Sequence, residues 1–252
     1  MNKSARLSAV LERLADGGSV DVGDLAEEFG VSQATVRRDL LALEQHRLLV
    51  RTHGGAIAKA VSYELPLRYK TVRHAEEKRR IAKEAAKLVT EAMTIGLTGG
   101  TTTTEIARAL ADRQGLTIVT NALNIASELA IRPDIKLMVT GGVVRSQSYE
   151  LSGPVADTSL SGIRMDLAFI GVDGVDARAG CTTYQEVEAH TNGVMVEHSS
   201  HVVVVADGSK VGKVAFARIC EISAVDELLT DESADPAAVQ ALASSGLRVR
   251  FA

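Results

Sequence analysis

The chain has 252 residues, is 46% hydrophobic but only 3% aromatic, and contains no tryptophan, so its core is expected to be aliphatic. Its 28 Lys and Arg face 32 Asp and Glu, a net charge of −4, which excludes a globally basic nucleic-acid binder and confines any such surface to a local patch. Two cysteines, Cys181 and Cys220, are too few for a disulfide framework and read as free thiols. The N-terminus carries charges inside its apolar stretch, unlike a signal peptide, and no run approaches the ~18 apolar residues of a membrane helix. A soluble, cytoplasmic protein is expected.

Along the first 58 residues, Leu7, Val10, Leu11 and Leu14 recur at helical spacing and predict an amphipathic helix stopped by Gly17 and Gly18. A brief extended piece, SVDV, follows. Asp21 is placed to cap a second helix bearing Val22, Leu25, Ala26 and Phe29, and Gly30 supplies its left-handed exit. Ser32 sits at the cap of a third helix whose buried row is Val36, Leu40 and Leu43. Helix, short turn, helix is the helix-turn-helix pattern.

At about 100° per residue, Arg38 points away from the buried row of that third helix, with Thr35 and Arg37 on either side. Ser32, Gln33, Thr35, Arg37 and Arg38 thus offer hydrogen-bond donors to base edges and phosphates. LLVRTHGGA then reads as a β-hairpin wing bent at Gly54 and Gly55, exposing Arg51 and His53. Charge is polarised: residues 1–31 carry a net −3 and residues 32–58 a net +2, on the side of the third helix and wing. The competing reading is a small helical domain with solvated arginines. The run VSQATVRRDLLALEQHRLLVRTHGGA resembles the DNA-binding segment of the DeoR family of bacterial transcriptional regulators. That family usually has Gly where this chain has Arg47, a departure that bears on how the third helix ends and the wing begins.

Residues 59–75 lack periodicity, contain Pro66, and read as a linker between a DNA-binding domain at 1–58 and a second domain at 76–252. From Arg68 to Lys87 the net charge is +5. A solvated helix face explains such a run, and phosphate contacts through Lys70 and Lys78 are the sharper alternative.

From residue 76 the pattern alternates. A helix at 76–90 is followed by strand-length apolar runs at 93–98, 116–120, 135–140, 166–172, 201–207, 227–231 and 247–251, with helical patterns between them. Near-continuous apolar strands separated by helices predict a parallel sheet covered on both faces. Ligands bind such sheets at the C-terminal ends of the strands. There the sequence places GGTTTT (Gly100, Thr101, Thr102 and Thr103 among them), then Thr120 and Asn121, Gly141 and Gly142, Asp173, and DGSK with Asp207 and Lys210. Glycines admit an anion to the backbone, a helix start adds positive potential, and Lys210 adds charge. Neither a P-loop nor a dinucleotide fingerprint is present, so one phosphate on a small metabolite suits these loops. Ordinary polar turns are the alternative.

GGTTTTEIARAL, TNALNIA, TGG, FIGVDGVD and DGSK also resemble sensor-domain blocks of the DeoR family, with Gly99 where Ser is usual. The resemblance implies an α+β winged helix-turn-helix N-terminal domain followed by an α/β parallel-sheet sensor domain with the ribose-5-phosphate isomerase and amino-sugar deaminase fold. It implies a repressor of a sugar or amino-sugar operon, bound to double-stranded operator DNA and released by a phosphosugar; because helix-turn-helix proteins bind paired half-sites, a homodimer or homotetramer assembled through the sensor domain is expected. MVTGGVVRSQSYELSG looks most like the amino-sugar branch. The contrasting possibilities are a sugar-phosphate isomerase or deaminase with an appended DNA-binding domain, for which Asp173, Glu186, Glu188 and His190 are available, and an architectural DNA binder. No metal or cofactor is expected, because the six histidines form no HxxxH or Cys/His cluster.

Overall fold

The computed structural model describes residues 1–46, 48–58 and 65–252; Arg47 and residues 59–64 of the expected linker lie outside the described residues. The chain divides into two compact units, Met1–Arg73 and His74–Ala252.

In the first unit, α1 (Lys3–Gly17), β1 (Ser19–Asp21), α2 (Val22–Phe29), α3 (Gln33–Gln45), β2 (Leu49–Arg51) and β3 (Gly55–Ala58) form a winged helix-turn-helix. Each helix start follows from its sequence. Asn2 Oδ1 accepts from the Ala5 amide, Asp21 Oδ1 from Gly23 and Asp24, and Ser32 Oγ from Thr35. Gly30 ends α2 with φ 63°. The helices bury Leu7, Val10, Leu11, Leu14, Leu25, Val36, Leu40 and Leu43 against one another. β3 lies between β1 and β2, both antiparallel to it. Glycine is required where β3 begins, since a Cβ on Gly55 would come within 1.8 Å of the Val20 carbonyl oxygen.

Part of the expected linker is structured. Residues Leu67–Lys70 form a short helix, α4, and Leu65 and Tyr69 are buried in the first unit's core. Ser8 Oγ donates to the Tyr69 carbonyl at 2.7 Å. Four residues make little more than one turn, too short for a 3.6-residue period to show in the sequence.

The second unit begins with α5 (Ala75–Ala86) and proceeds through β4 (Thr94–Leu97), α6 (Thr101–Leu110), β5 (Leu116–Thr120), α7 (Leu123–Leu129) and β6 (Ile135–Val139). A small hairpin follows, β7 (Val143–Val144) and β8 (Leu151–Ser152), then α8 (Pro154–Ser161) and β9 (Leu167–Gly171). The remainder is β10 (Gly174–Asp176), β11 (Gly180–Thr183), α9 (Glu186–Glu197), β12 (Val202–Val205), β13 (Ala217–Cys220), β14 (Glu227–Thr230), α10 (Pro236–Ser244) and β15 (Arg248–Phe251).

Seven strands form one parallel sheet in the order β15-β14-β12-β9-β4-β5-β6. These are the seven apolar runs of the sequence, in shortened form. Two aliphatic clusters cover its faces, one around Ile95, Leu97, Ile106 and Phe169, the other around Ala168, Ile170, Val204 and Leu228. The chain starts at β4 and runs outward through β5 and β6. It then returns to the other side of β4 and runs outward through β9, β12, β14 and β15. The direction therefore reverses between β4 and β9, and sheets of this kind hold their ligands at the strand ends beside such a reversal.

Candidate functional site

In the first unit, α3 presents Gln33, Arg37 and Arg38 to solvent, with Thr35 half-buried. Arg37 donates to Gln33 Oε1 at 3.2 Å, and Arg38 lies along its own helix, donating to the Ala34 carbonyl at 3.3 Å. Ser32 is exposed and its hydroxyl caps the helix. Arg51 and His53 are exposed on the wing, where Arg51 pairs with Glu44 at 2.7 Å. That pairing holds the Glu44 carboxyl below its usual range.

The charge of α3 is more one-sided than the sequence suggests. Asp39, the acid beside Arg38, is buried and forms a two-pronged ion pair with buried Arg6 of α1. The pair removes one negative charge from the exposed face of α3 and fastens α3 to α1.

In the second unit, the crevice at the β4–β9 reversal is built on two glycines. A Cβ on Gly171 would meet the Gly99 carbonyl oxygen at 2.8 Å, so the two strand ends touch backbone to backbone. Thr98, fully buried at the end of β4, ties them further by accepting from the Gly171 amide at 2.9 Å. Gly100, with φ 135°, then turns the chain into α6. The hydroxyls of Thr103 and Thr104 donate back to the Gly100 carbonyl, at 3.0 and 2.6 Å. Thr101 is half-buried at the helix start and Thr102 is buried behind it. The first amides of a helix have no partner within it, so this turn offers N–H donors and positive potential to an anion.

Beside this turn lies a buried polar network. Glu150 Oε2 accepts from Asn121 Nδ2 at 3.2 Å and from Asn192 Nδ2 at 3.1 Å, while Oε1 faces Gly99. Asn121 also donates to Asn192 Oδ1 at 3.0 Å, and its own Oδ1 is buried without a hydrogen-bond partner. Complete burial pushes the Glu150 carboxyl up to about 8, and the nearby negative charge of Glu188 pushes the same way. Glu188 is itself buried and accepts from Ser148 and from Arg145, the latter at 3.1 Å. On the β9 side, Asp173 takes the Thr183 hydroxyl at 3.1 Å and pairs with Lys210 at 3.4 Å.

The structure thus groups Gly100, Thr101, Thr102, Thr103, Asn121, Asp173 and Lys210 around strand ends at the reversal. Other expected ligands are occupied locally. The Thr120 hydroxyl donates to the Leu97 carbonyl at 2.7 Å, and Asp207 caps the turn Gly208–Lys210 through its bonds to Ser209. Gly141 and Gly142 turn the chain out of β6 with φ 74° and 113°. Lys78 is buried on α5, and Lys70 belongs to the first unit, on α4. Of the potential catalytic residues, Glu186 and His190 are exposed on α9, with His190 3.5 Å from Asp157. Among the described residues no group of three His, Cys, Asp or Glu could hold a metal ion.

Thr98, Arg145, Ser148, Glu150 and Asn192 belong to the polar network beside the candidate site and are not among the residues expected from sequence. Glu150 lies in the polar run RSQSYE, which carries no strand or helix period, and Asn192 is an uncharged polar residue at mid-helix. The one available signal was the row Glu188, Thr191, Asn192 at helical spacing, which places polar groups on a buried face.

A family model for the DeoR-like helix-turn-helix domain matches residues 6–60, and one for the DeoR C-terminal sensor domain matches residues 73–232. The glycerol-3-phosphate regulon repressor of Escherichia coli strain K12 is 32% identical over 100% of both chains. The transcriptional regulator GlpR of Haloferax volcanii is 34% identical over 99% of this chain and 98% of its own. The transcriptional repressor CsqR of Escherichia coli strain K12 is 32% identical over 90% and 87%. Among solved structures, the ribose 5-phosphate isomerase of Methanocaldococcus jannaschii is similar at a TM-score of 0.38 and 22% identity, over 54% of each chain. A score that low carries no argument; the parallel sheet rests on its own strand register. Among the described residues no helix is long and apolar enough to cross a membrane.

Proposed function

The chain belongs to the DeoR family of DNA-binding transcriptional regulators, and from that premise we propose that it is a cytoplasmic repressor of a sugar-utilisation operon, released from its operator by a phosphorylated sugar. One observation carries the effector half of this reading. At the β4–β9 reversal, an anion-accepting helix start lies beside a buried set of sugar-sized polar groups. The phosphate is assigned to the amides of Thr101, Thr102 and Thr103, with Lys210 supplying positive charge. The hydroxyl-bearing body is assigned to Asn121, Asn192, Glu150 and Asp173, which offer both donors and acceptors. One helix start and one lysine suit a single phosphate. A relative named for the glycerol-3-phosphate regulon supports a phosphorylated effector here. A putative aga operon transcriptional repressor, 34% identical, and the glycerol-3-phosphate regulon repressor, 32% identical, match about equally, so the amino-sugar branch and a glycerol-phosphate-type effector both stay open.

On the DNA side, Gln33, Arg37 and Arg38 are assigned to base edges and phosphates, and the wing residues Arg51 and His53 to the backbone. Release requires that the effector bind the DNA-free form more tightly, and DNA must then weaken effector binding by the same factor. Helix-turn-helix proteins read paired half-sites, which supports a homodimer or homotetramer. The β6 edge of the sheet and the β7 strand that follows it suit a second copy, because they expose Val139, Val143 and Val144.

A second reading, a sugar-phosphate isomerase or deaminase, is favoured by one feature: Glu150 is a buried carboxyl able to hold a proton at neutral pH. A thermal-shift screen of sugar phosphates, each beside its unphosphorylated parent, tests the repressor reading. Stabilisation by a phosphosugar alone, without turnover, supports it. Turnover supports the enzyme, and no shift with any compound removes the effector assignment.

A further inference from the structure

The only two cysteines of the chain, 39 residues apart in sequence, stand opposite each other in space. β11 pairs antiparallel with β13, and the register places Cys181 directly across from Cys220. Directly opposed residues of antiparallel strands have Cα atoms about 4.5–5.5 Å apart, inside the ~4.4–6.8 Å range that a disulfide spans. Two details favour closure. The ladder is irregular between Cys181 and Thr182, which gives the strand freedom to adjust its side-chain direction. Gly180, with φ 77°, lets β11 approach the β13 backbone so closely that a Cβ there would sit 2.2 Å from the Cys220 carbonyl oxygen.

We propose that Cys181 and Cys220 form a reversible intramolecular disulfide on exposure to a hydroperoxide, with Cys220 as the attacking thiol and Cys181 as the resolving one. Cys220 is the partly exposed member of the pair, and Cys181 is buried. Their mutual interaction also holds the Cys220 thiol below the ordinary range and pushes Cys181 well above it, so thiolate character gathers on the accessible sulfur. In the first step the Cys220 thiolate attacks one peroxide oxygen and the O–O bond breaks. The sulfur becomes a sulfenic acid, and the other oxygen, protonated, leaves as water from hydrogen peroxide or as the alcohol from an organic hydroperoxide. In the second step Cys181 attacks that sulfur, its proton and the sulfenic hydroxyl leave as water, and the S–S bond forms. Two thiols are oxidised by two electrons and one peroxide is reduced. A metal role for the pair has no support among the described residues, where no third His, Cys, Asp or Glu joins it. Cys181 sits two positions from Thr183, whose hydroxyl donates to Asp173 at 3.1 Å.

The test is peptide mapping of the full chain after hydrogen peroxide treatment and alkylation of the remaining thiols. The expected result is an intact chain lighter by two hydrogens that takes up no alkyl group. It should contain one peptide joining the segments of Cys181 and Cys220, and dithiothreitol should restore both thiols. In Cys181→Ser, and in Cys181→Ala as a second variant, Cys220 should stop at a sulfenic acid that dimedone traps. Two alkylated thiols after peroxide, a Cys220 bridge between two chains, or Cys220 sulfinic acid beside an alkylated Cys181 would each overturn the proposal.

Discussion

Glu150 fills the space that a side chain on Gly99 would need: a Cβ at position 99 would come within 2.3 Å of Glu150 Cγ and 2.5 Å of Oε1. The glycine at the end of β4, where the family motif usually has Ser, is thus coupled to a carboxylate held by two asparagines. Gly99→Ser is expected to force Glu150 out of its amide clamp and destabilise the protein by about 1–3 kcal/mol. Glu150→Ala in the same chain should recover part of that loss. A double-mutant cycle in urea unfolding reads the coupling. Additivity within about 0.5 kcal/mol would show that the two residues do not compete for the same space.

The same carboxyl gives a pH dependence. Glu150 in the folded protein titrates at about 8 against an ordinary 4.5. Between those values the folded state holds a proton that the unfolded state has lost. The contribution of Glu150 is therefore fully present below the lower value, and it declines by up to about 1.4 kcal/mol per pH unit as pH rises toward 8. Glu150→Gln keeps a neutral group of similar shape at every pH. The stability of the wild type relative to this variant should fall with rising pH across that window and level off above it. A difference that stays constant with pH would contradict the assignment.

These two expectations rest on a residue that sequence reading passed over, and the reason is physical. The seven strands were legible because a strand buried on both faces must be apolar along its whole length, as in Val202–Val205. Helix starts were legible because caps need particular side chains, as at Asp21 and Ser32. The network of Glu150, Asn121 and Asn192 joins residues 29 to 71 apart on different elements, and no local period encodes it. The loop motifs located the crevice, but they could not tell which polar groups are consumed by their own turns. The Thr120 hydroxyl donates to the Leu97 carbonyl of neighbouring β4 and Asp207 caps its own turn, whereas Asp173 and Lys210 pair with each other. Likewise the Asp39–Arg6 pair joins residues 33 apart on two helices, and no local period encodes it.

That buried pair supplies a stability prediction for the first unit. Asp39→Ala leaves Arg6 charged and buried, which should cost about 3–5 kcal/mol, as for a broken buried pair. Glu44→Ala removes only the exposed partner of Arg51 and should cost far less than Asp39→Ala. Circular-dichroism melting of both variants checks the order; equal effects would place Asp39 in contact with water.

For DNA reading, Arg38→Ala should weaken specific binding by about 1–3 kcal/mol if the side chain swings from the Ala34 carbonyl to a base edge. Arg51→Ala should act mainly through phosphates, weakening all sequences alike and lowering the salt dependence by about one charge. Fluorescence anisotropy on specific and scrambled duplexes at several salt concentrations separates the two. An Arg38→Ala variant of unchanged affinity would remove that residue from the interface.

Lys210→Ala removes the cation paired with Asp173 and the one assigned to the effector phosphate. Release of DNA by a phosphosugar should be lost while DNA affinity in its absence is retained. If the variant still responds at wild-type effector concentrations, the phosphate does not bind Lys210.

The most direct test of the central claim is displacement. Full-length protein is bound to a labelled duplex from the promoter region of its own gene and titrated with a panel of sugar phosphates and their unphosphorylated parents. Release of the duplex by a phosphosugar, with the parent sugar inert and the phosphosugar recovered unchanged, is the expected result. DNA affinity that no phosphosugar alters would contradict the assignment of the crevice as a phosphosugar sensor.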